Sequence, residues 1–172
     1  MINKLINKLV DKLIIKYFKD LTPSEIIAKA KGYDFVKDFS EGMAIVSKGG
    51  YMFFIDTDGK EIGKGRNYWL VGPFSEGMAM VGQGLDRWFY IDKDGKEYGK
   101  DKGYDYVGDF SEDMAVVNKD GYAFFIDKDG KEYWKDREYD EVGRFSEGIA
   151  KVKKGDKIFC INKQGEIVKE EN

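Results

Sequence analysis

The sequence predicts a mainly β fold: four tandem repeats of about 35 residues, each made of 3–4 short antiparallel strands, behind an N-terminal helical cap. Three observations predict it. FSEGMA begins at Phe39 and Phe74, FSEDMA at Phe110 and FSEGIA at Phe145, at intervals of 35, 36 and 35 residues. FIDTDGKE from Phe54, YIDKDGKE from Tyr90, FIDKDGKE from Phe125 and the drifted CINKQGEI from Cys160 keep the same period. So do YDFV from Tyr33, YWLV from Tyr68, YDYV from Tyr104 and YDEV from Tyr139. Three motifs sharing one period mark a repeat architecture.

Residues 1–31 differ in kind and are read as the cap. Apolar positions 2, 5, 6, 9, 10, 13, 14, 17, 18 and 21 follow helical spacing, with Lys4, Lys8, Lys12, Lys16 and Lys19 opposite. Thr22-Pro23-Ser24-Glu25 then carries a capping box with Pro in the first helical position, so a second short helix starts there. A repeat array leaves an apolar end that needs covering. The first 20 residues hold five lysines against two aspartates, a net +3, so association with an anionic membrane or a partner helix is the alternative use of this segment.

Residues 32–172 form the repeat domain. After each FSEG turn, Ala44 and Val46 recur as Ala79 and Val81, Ala115 and Val117, and Ala150 and Val152. The position between them varies as Ile45, Met80, Val116 and Lys151. Constant residues two apart with a variable neighbour predict a strand with one buried face, Lys151 marking the open side. The next strand repeats the pattern: Phe53 and Ile55 recur as Phe89 and Ile91, Phe124 and Ile126, and Phe159 and Ile161, expected to be hidden against the adjoining copy. Asp-x-Asp-Gly reads as a hairpin whose Gly takes positive φ. Ser-Glu-Gly reads as a second sharp turn, its Ser hydroxyl capping backbone donors, and Asp113 in the third copy is among the few residues that tolerate the left-handed region. One unit cannot bury its own apolar face, so neighbours stack, as an open twisted β-solenoid or, alternatively, a small β-propeller.

FSEG-x-A, the following F-I-D-x-D-G-K hairpin and the Y-D-x-V segment together resemble the bacterial WG-repeat (KWG) family over residues 33–168. The Trp-Gly pair that names the family reads Tyr51-Met52, Arg87-Trp88, Tyr122-Ala123 and Lys157-Ile158 in this chain. The resemblance implies an interaction module and no catalytic activity. The hairpins also look like choline- or glucan-binding cell-wall repeats, which recur at a shorter period.

Composition narrows the chemistry. There is no histidine, which removes the commonest general base and metal ligand. Neither a catalytic site, a cofactor nor a metal is expected. The pairs Asp56/Asp58, Asp92/Asp94 and Asp127/Asp129 offer oxygen ligands, but Gly follows the second Asp directly, which suits a turn rather than an EF-hand. The lone Cys160 stands in a column with Phe54, Tyr90 and Phe125 and is read as packing. Glu41, Glu76, Glu112 and Glu147 recur in every copy and are expected to bond within their own repeat. A net charge of −3 gives no signature for nucleic acid. No stretch nears the roughly 18 apolar residues of a membrane span, and the lysine-interrupted N-terminus lacks the apolar core of a secretory signal, so a cytoplasmic location is expected.

A partner would be read where otherwise constant repeats vary. Trp69 replaces the Asp of the YD motif, Trp88 sits in a wandering column and Trp134 stands where other copies have Gly63 and Gly99. With Tyr90, Tyr98, Tyr106 and Tyr133 these aromatics are the candidate anchors of a protein–protein interface; the alternative is that they pack between repeats. A carbohydrate or cell-envelope ligand stacking on the same rings, and self-association through the N-terminal helix, are the other functions the sequence allows.

Overall fold

The computed structural model describes residues 22–84 and 87–171; the amphipathic segment 1–21 lies outside the described residues. Helix α1 (Pro23–Lys31) starts on the expected capping box: Thr22 N–H donates to Glu25 Oε2 at 2.7 Å and Glu25 N–H returns to Thr22 Oγ1 at 3.3 Å. Gly32, left-handed at φ 64°, ends it.

Four four-stranded antiparallel meanders follow. They are β1 (Phe35–Val36) to β4 (Glu61–Ile62) through β2 (Met43–Lys48) and β3 (Tyr51–Asp56), and β5 (Leu70–Val71) to β8 (Glu97–Tyr98) through β6 (Met78–Gly82) and β7 (Trp88–Asp92). The third runs from β9 (Tyr106–Val107) through β10 (Met114–Lys119) and β11 (Tyr122–Asp127) to β12 (Glu132–Tyr133). The fourth runs from β13 (Glu141–Val142) through β14 (Ile149–Lys154) and β15 (Lys157–Asn162) to β16 (Ile167–Glu171). Each FSEG motif is a two-residue turn with both central residues at positive φ, such as Glu41 at 48° and Gly42 at 80°, closed by reciprocal bonds between Ser40 and Met43. Asp113 holds the left-handed position at φ 67°, as its residue type allows. In each Asp-x-Asp-Gly hairpin the first side chain accepts two backbone N–H groups, Asp56 Oδ1 from Asp58 and Lys60, both at 2.9 Å; Asn162 does the same in the fourth copy.

The strands have two buried faces where the alternation predicts one. The constant Ala, Val, Phe and Ile of each repeat face backwards, while the varying residues face forwards onto the next copy. Met43, Ile45, Phe54 and Ile62 pack on Tyr68, Val71, Phe74, Ala79, Val81, Phe89 and Ile91 of the second repeat. The next two junctions repeat this arrangement. Each of the first three sheets is thus covered on both sides, the first by α1 and the second repeat, the others by the repeats before and after them. The varying column varies because it fits the next copy, and Lys151 marks the last face of the array rather than an open side of every strand. There Lys151 pairs with Glu171 of β16 at 2.6 Å, giving the terminal repeat a polar outer face. At the other end, Ile27 of α1 covers Ala44, Val46, Phe53 and Ile55. Phe53, Phe89 and Phe124 are buried, and Phe159 is half-buried.

The repeated glutamates bond between repeats, contrary to the expectation that they bond within one. Glu41 accepts from Glu76 N–H and Gly77 N–H at 2.6 and 2.9 Å, and Glu76 from Glu112 and Asp113 at 2.6 and 2.8 Å. Glu112 accepts from Gly148 at 3.0 Å. The serine hydroxyls also reach forwards: Ser40, Ser75 and Ser111 donate to the carbonyls of Phe74, Phe110 and Phe145 rather than accept from local donors. The reason is position. The turns stack in a column, so the nearest unmatched backbone groups belong to the next copy.

Candidate interaction site

The aromatic candidates divide into two groups. Tyr90 is 1% exposed, and its hydroxyl donates to the Gly108 carbonyl of the third repeat at 2.7 Å, so it packs between copies and has no surface to offer. Tyr98 and Tyr133 are half-buried, their hydroxyls on Asp92 and Asp127 at 3.0 Å each. Trp134 lies between Phe125 and Phe145, with ring centroids 5.5 and 6.3 Å away, at the junction of the third and fourth repeats. Tyr106 is exposed, beside Arg144 in a shallow notch that no tryptophan lines.

Trp69 and Trp88 come together on the second repeat. Their centroids are 5.7 Å apart at 61°, and Trp69 remains 42% exposed. The arrangement follows from one row across three strands. Trp69 N–H donates to the Gly82 carbonyl, and Gly82 pairs with Trp88. The same row reads Asp34, Ser47, Met52 in the first copy, Asp105, Asn118, Ala123 in the third and Asp140, Lys153, Ile158 in the fourth. A Cβ on Gly82 would stand 3.1 Å from Trp69 Nε1 and 3.2 Å from Trp88 Cζ3, so any larger residue would push the two indoles away from the strand by a few tenths of an ångström.

The departure costs a structural contact. Asp34, Asp105 and Asp140 each accept a backbone N–H of the adjoining hairpin turn, from Gly49, Asp120 and Gly155 at 2.8, 2.9 and 2.6 Å. Trp69 has no carboxylate to give. The hairpin between β6 and β7 is one residue longer, as the interval of 36 shows, and Gln83 N–H closes it onto the Arg87 carbonyl at 2.9 Å. Tyr51, Asn67, Trp69, Gln83, Gly84 and Arg87 line the resulting open groove of about 690 Å³. Sequence reasoning singled out Trp69 and Trp88 but not Tyr51, Asn67, Gln83 or Arg87. The signals for them were the extra residue and the glycine in a column of larger side chains.

No curated protein matches the chain. Among solved structures it is similar to the extracellular domain of a hybrid two-component system from B. thetaiotaomicron, at 16% identity and a TM-score of 0.43, covering 80% of this chain and 22% of that one. KlHsv2 with loop 6CD replaced by a Gly-Ser linker is similar at 11% identity and 0.47, covering 78% and 49%; the AfRom2 CNH domain at 10% and 0.31, covering 80% and 50%. The chain thus spans at most half the length of these structures. The family model for the WG containing repeat matches residues 25–51, 52–84, 88–122 and 124–157, and with four tandem matches over most of its length the chain belongs to the WG-repeat family.

Proposed function

We propose that the chain is a non-catalytic recognition module that binds another protein through the groove over its second repeat. One observation carries this reading: Trp69, Gly82, Trp88 and the lengthened hairpin depart together from the pattern of the other three copies, and the departure gives up a turn-capping carboxylate to hold Trp69 at the surface over the half-buried Trp88. An exposed tryptophan, Trp69, beside an arginine is the combination of residue types that anchors interfaces. The lining offers aromatic rings, amides and a guanidinium, a set suited to contact rather than to nucleophilic or acid–base work. The scaffold reading is an open twisted array: every inter-repeat bond above joins successive copies, and the two ends carry unlike covers, α1 and the polar face beside β16.

The test is affinity capture with the full chain against its Trp69→Ala/Trp88→Ala variant, both checked for β content by circular dichroism. A protein partner is expected to be retained by the first and weakened roughly thirtyfold or more by the second, the scale of a lost hot spot. Identical recovery by both would remove the groove from the account. Glycan-array binding that disappears on Trp88→Ala would favour the carbohydrate alternative.

A further inference from the structure

Resting on that recognition role, we propose that the groove takes a peptide segment with a carboxylate next to a large apolar side chain, the carboxylate meeting Arg87 and the apolar group lying against Trp69 and Trp88. The argument is one of charge. Where the first, third and fourth copies place Asp34, Asp105 and Asp140, the second places Trp69, and where they place Lys48, Lys119 and Lys154 it places Gln83, so the usual pair of opposite charges is absent from this spot. In the column of Tyr51, Tyr122 and Lys157 it places Arg87. Arg87 is the one charged side chain among the described lining residues, on a chain whose net charge is −3.

Arg66 and Arg137 show the contrast. Arg66 donates to Glu97 at 3.0 Å and to the Gly95 carbonyl at 2.7 Å, and Arg137 to the Gly165 carbonyl and the Tyr139 hydroxyl. Both fasten one part of the scaffold to another. Arg87 is exposed and has no carboxylate partner among the described residues, so its fork of donors remains available for a planar bidentate acceptor. Trp69 beside it supplies apolar area that repeat packing leaves uncovered, backed by Trp88, which is half-buried on the core between the second and third repeats, and the groove lies within the usual range of ligand clefts, about 300–1,000 Å³.

A phage-displayed random heptapeptide library selected on the immobilised full chain tests this, with enriched peptides then synthesised and measured by fluorescence anisotropy. Enriched sequences are expected to place Asp or Glu beside Trp, Phe or Leu. Their affinity should fall about tenfold or more on Arg87→Gln, the scale of a lost hydrogen bond to a charged group, and fall again as salt is raised. Peptides that need Trp69 yet lack an acidic residue and ignore Arg87→Gln would overturn this inference and leave the recognition groove standing. No enrichment over that on Trp69→Ala would overturn both. Arg87 is exposed, so its substitution leaves the fold in place, and circular dichroism verifies this for each variant.

Discussion

A glutamate with a left-handed backbone stands at the same turn in every repeat, with φ between 48° and 55° at Glu41, Glu76, Glu112 and Glu147. Glycine or asparagine would hold that conformation with less strain. Glutamate is used because its carboxylate spans to the next turn, and a lysine of the next hairpin joins it: Lys93 on Glu41, Lys128 on Glu76 and Lys163 on Glu112, at 3.0 to 3.3 Å. The first copy has Thr57 at the lysine position, and helix α1 rather than a glutamate-bearing turn lies against it. Glu76→Ala is therefore expected to lower unfolding stability by about 1.5–3 kcal/mol more than Glu147→Ala, by urea denaturation. The two share the same backbone conformation, so the difference isolates the junction bond; equal losses would refute the connecting role. The recurrence of these glutamates was legible in the sequence. Their direction was not, because a period says which residues correspond and not which copy each one touches.

For the strands, the constant alternation of Ala44 with Val46 and Phe53 with Ile55 located a buried face correctly. It concealed the second one. Ile45 and Phe54 are as buried as their neighbours, yet their columns vary because each must match a different surface on the following copy. Lys151 and Cys160 were the clue, polar or small in columns that are apolar and large in the first three copies. The row Trp69–Gly82–Trp88 was half legible: the tryptophans stood out, whereas the glycine between them acquires its meaning only when the strands are laid side by side. Helix α1 closes the opposite end with Ile27, which is fully buried on Ala44, Val46, Phe53 and Ile55. Ile27→Ala is expected to cost about 2–3 kcal/mol, read as a lower urea midpoint, since it opens a cavity over the first sheet. A change below about 0.5 kcal/mol would show that α1 does not cap the array.

Across the molecule, acidic groups at the junctions and turns set how stability responds to pH. At Glu41, Glu76, Glu97 and Glu132, burial pushes the carboxyl up, but hydrogen bonds and neighbouring lysines outweigh it and hold each below its ordinary value of 4.5. A carboxyl held lower in the folded chain contributes stability above the unfolded value and loses it as pH falls through the folded one. Tyr68 and Tyr104 are pushed up by burial and by their glutamate partners, so their contribution is present below pH 10 and is lost as pH rises beyond it. Thermal melts are expected to show a plateau between about pH 5 and 10 and a decline on both sides, steeper on the acid side where several groups titrate together. A melting temperature unchanged down to pH 3 would contradict the role given to these carboxylates.

The glutamate column also governs how the chain can change its length. Every interior junction is made by the same few atoms, so a further copy placed between the second and third would meet a serine, a carboxylate and a lysine already arranged to receive it. Reach can then be altered by whole units while the specialised second copy keeps its recognition surface, leaving evolution free to adjust span and specificity separately.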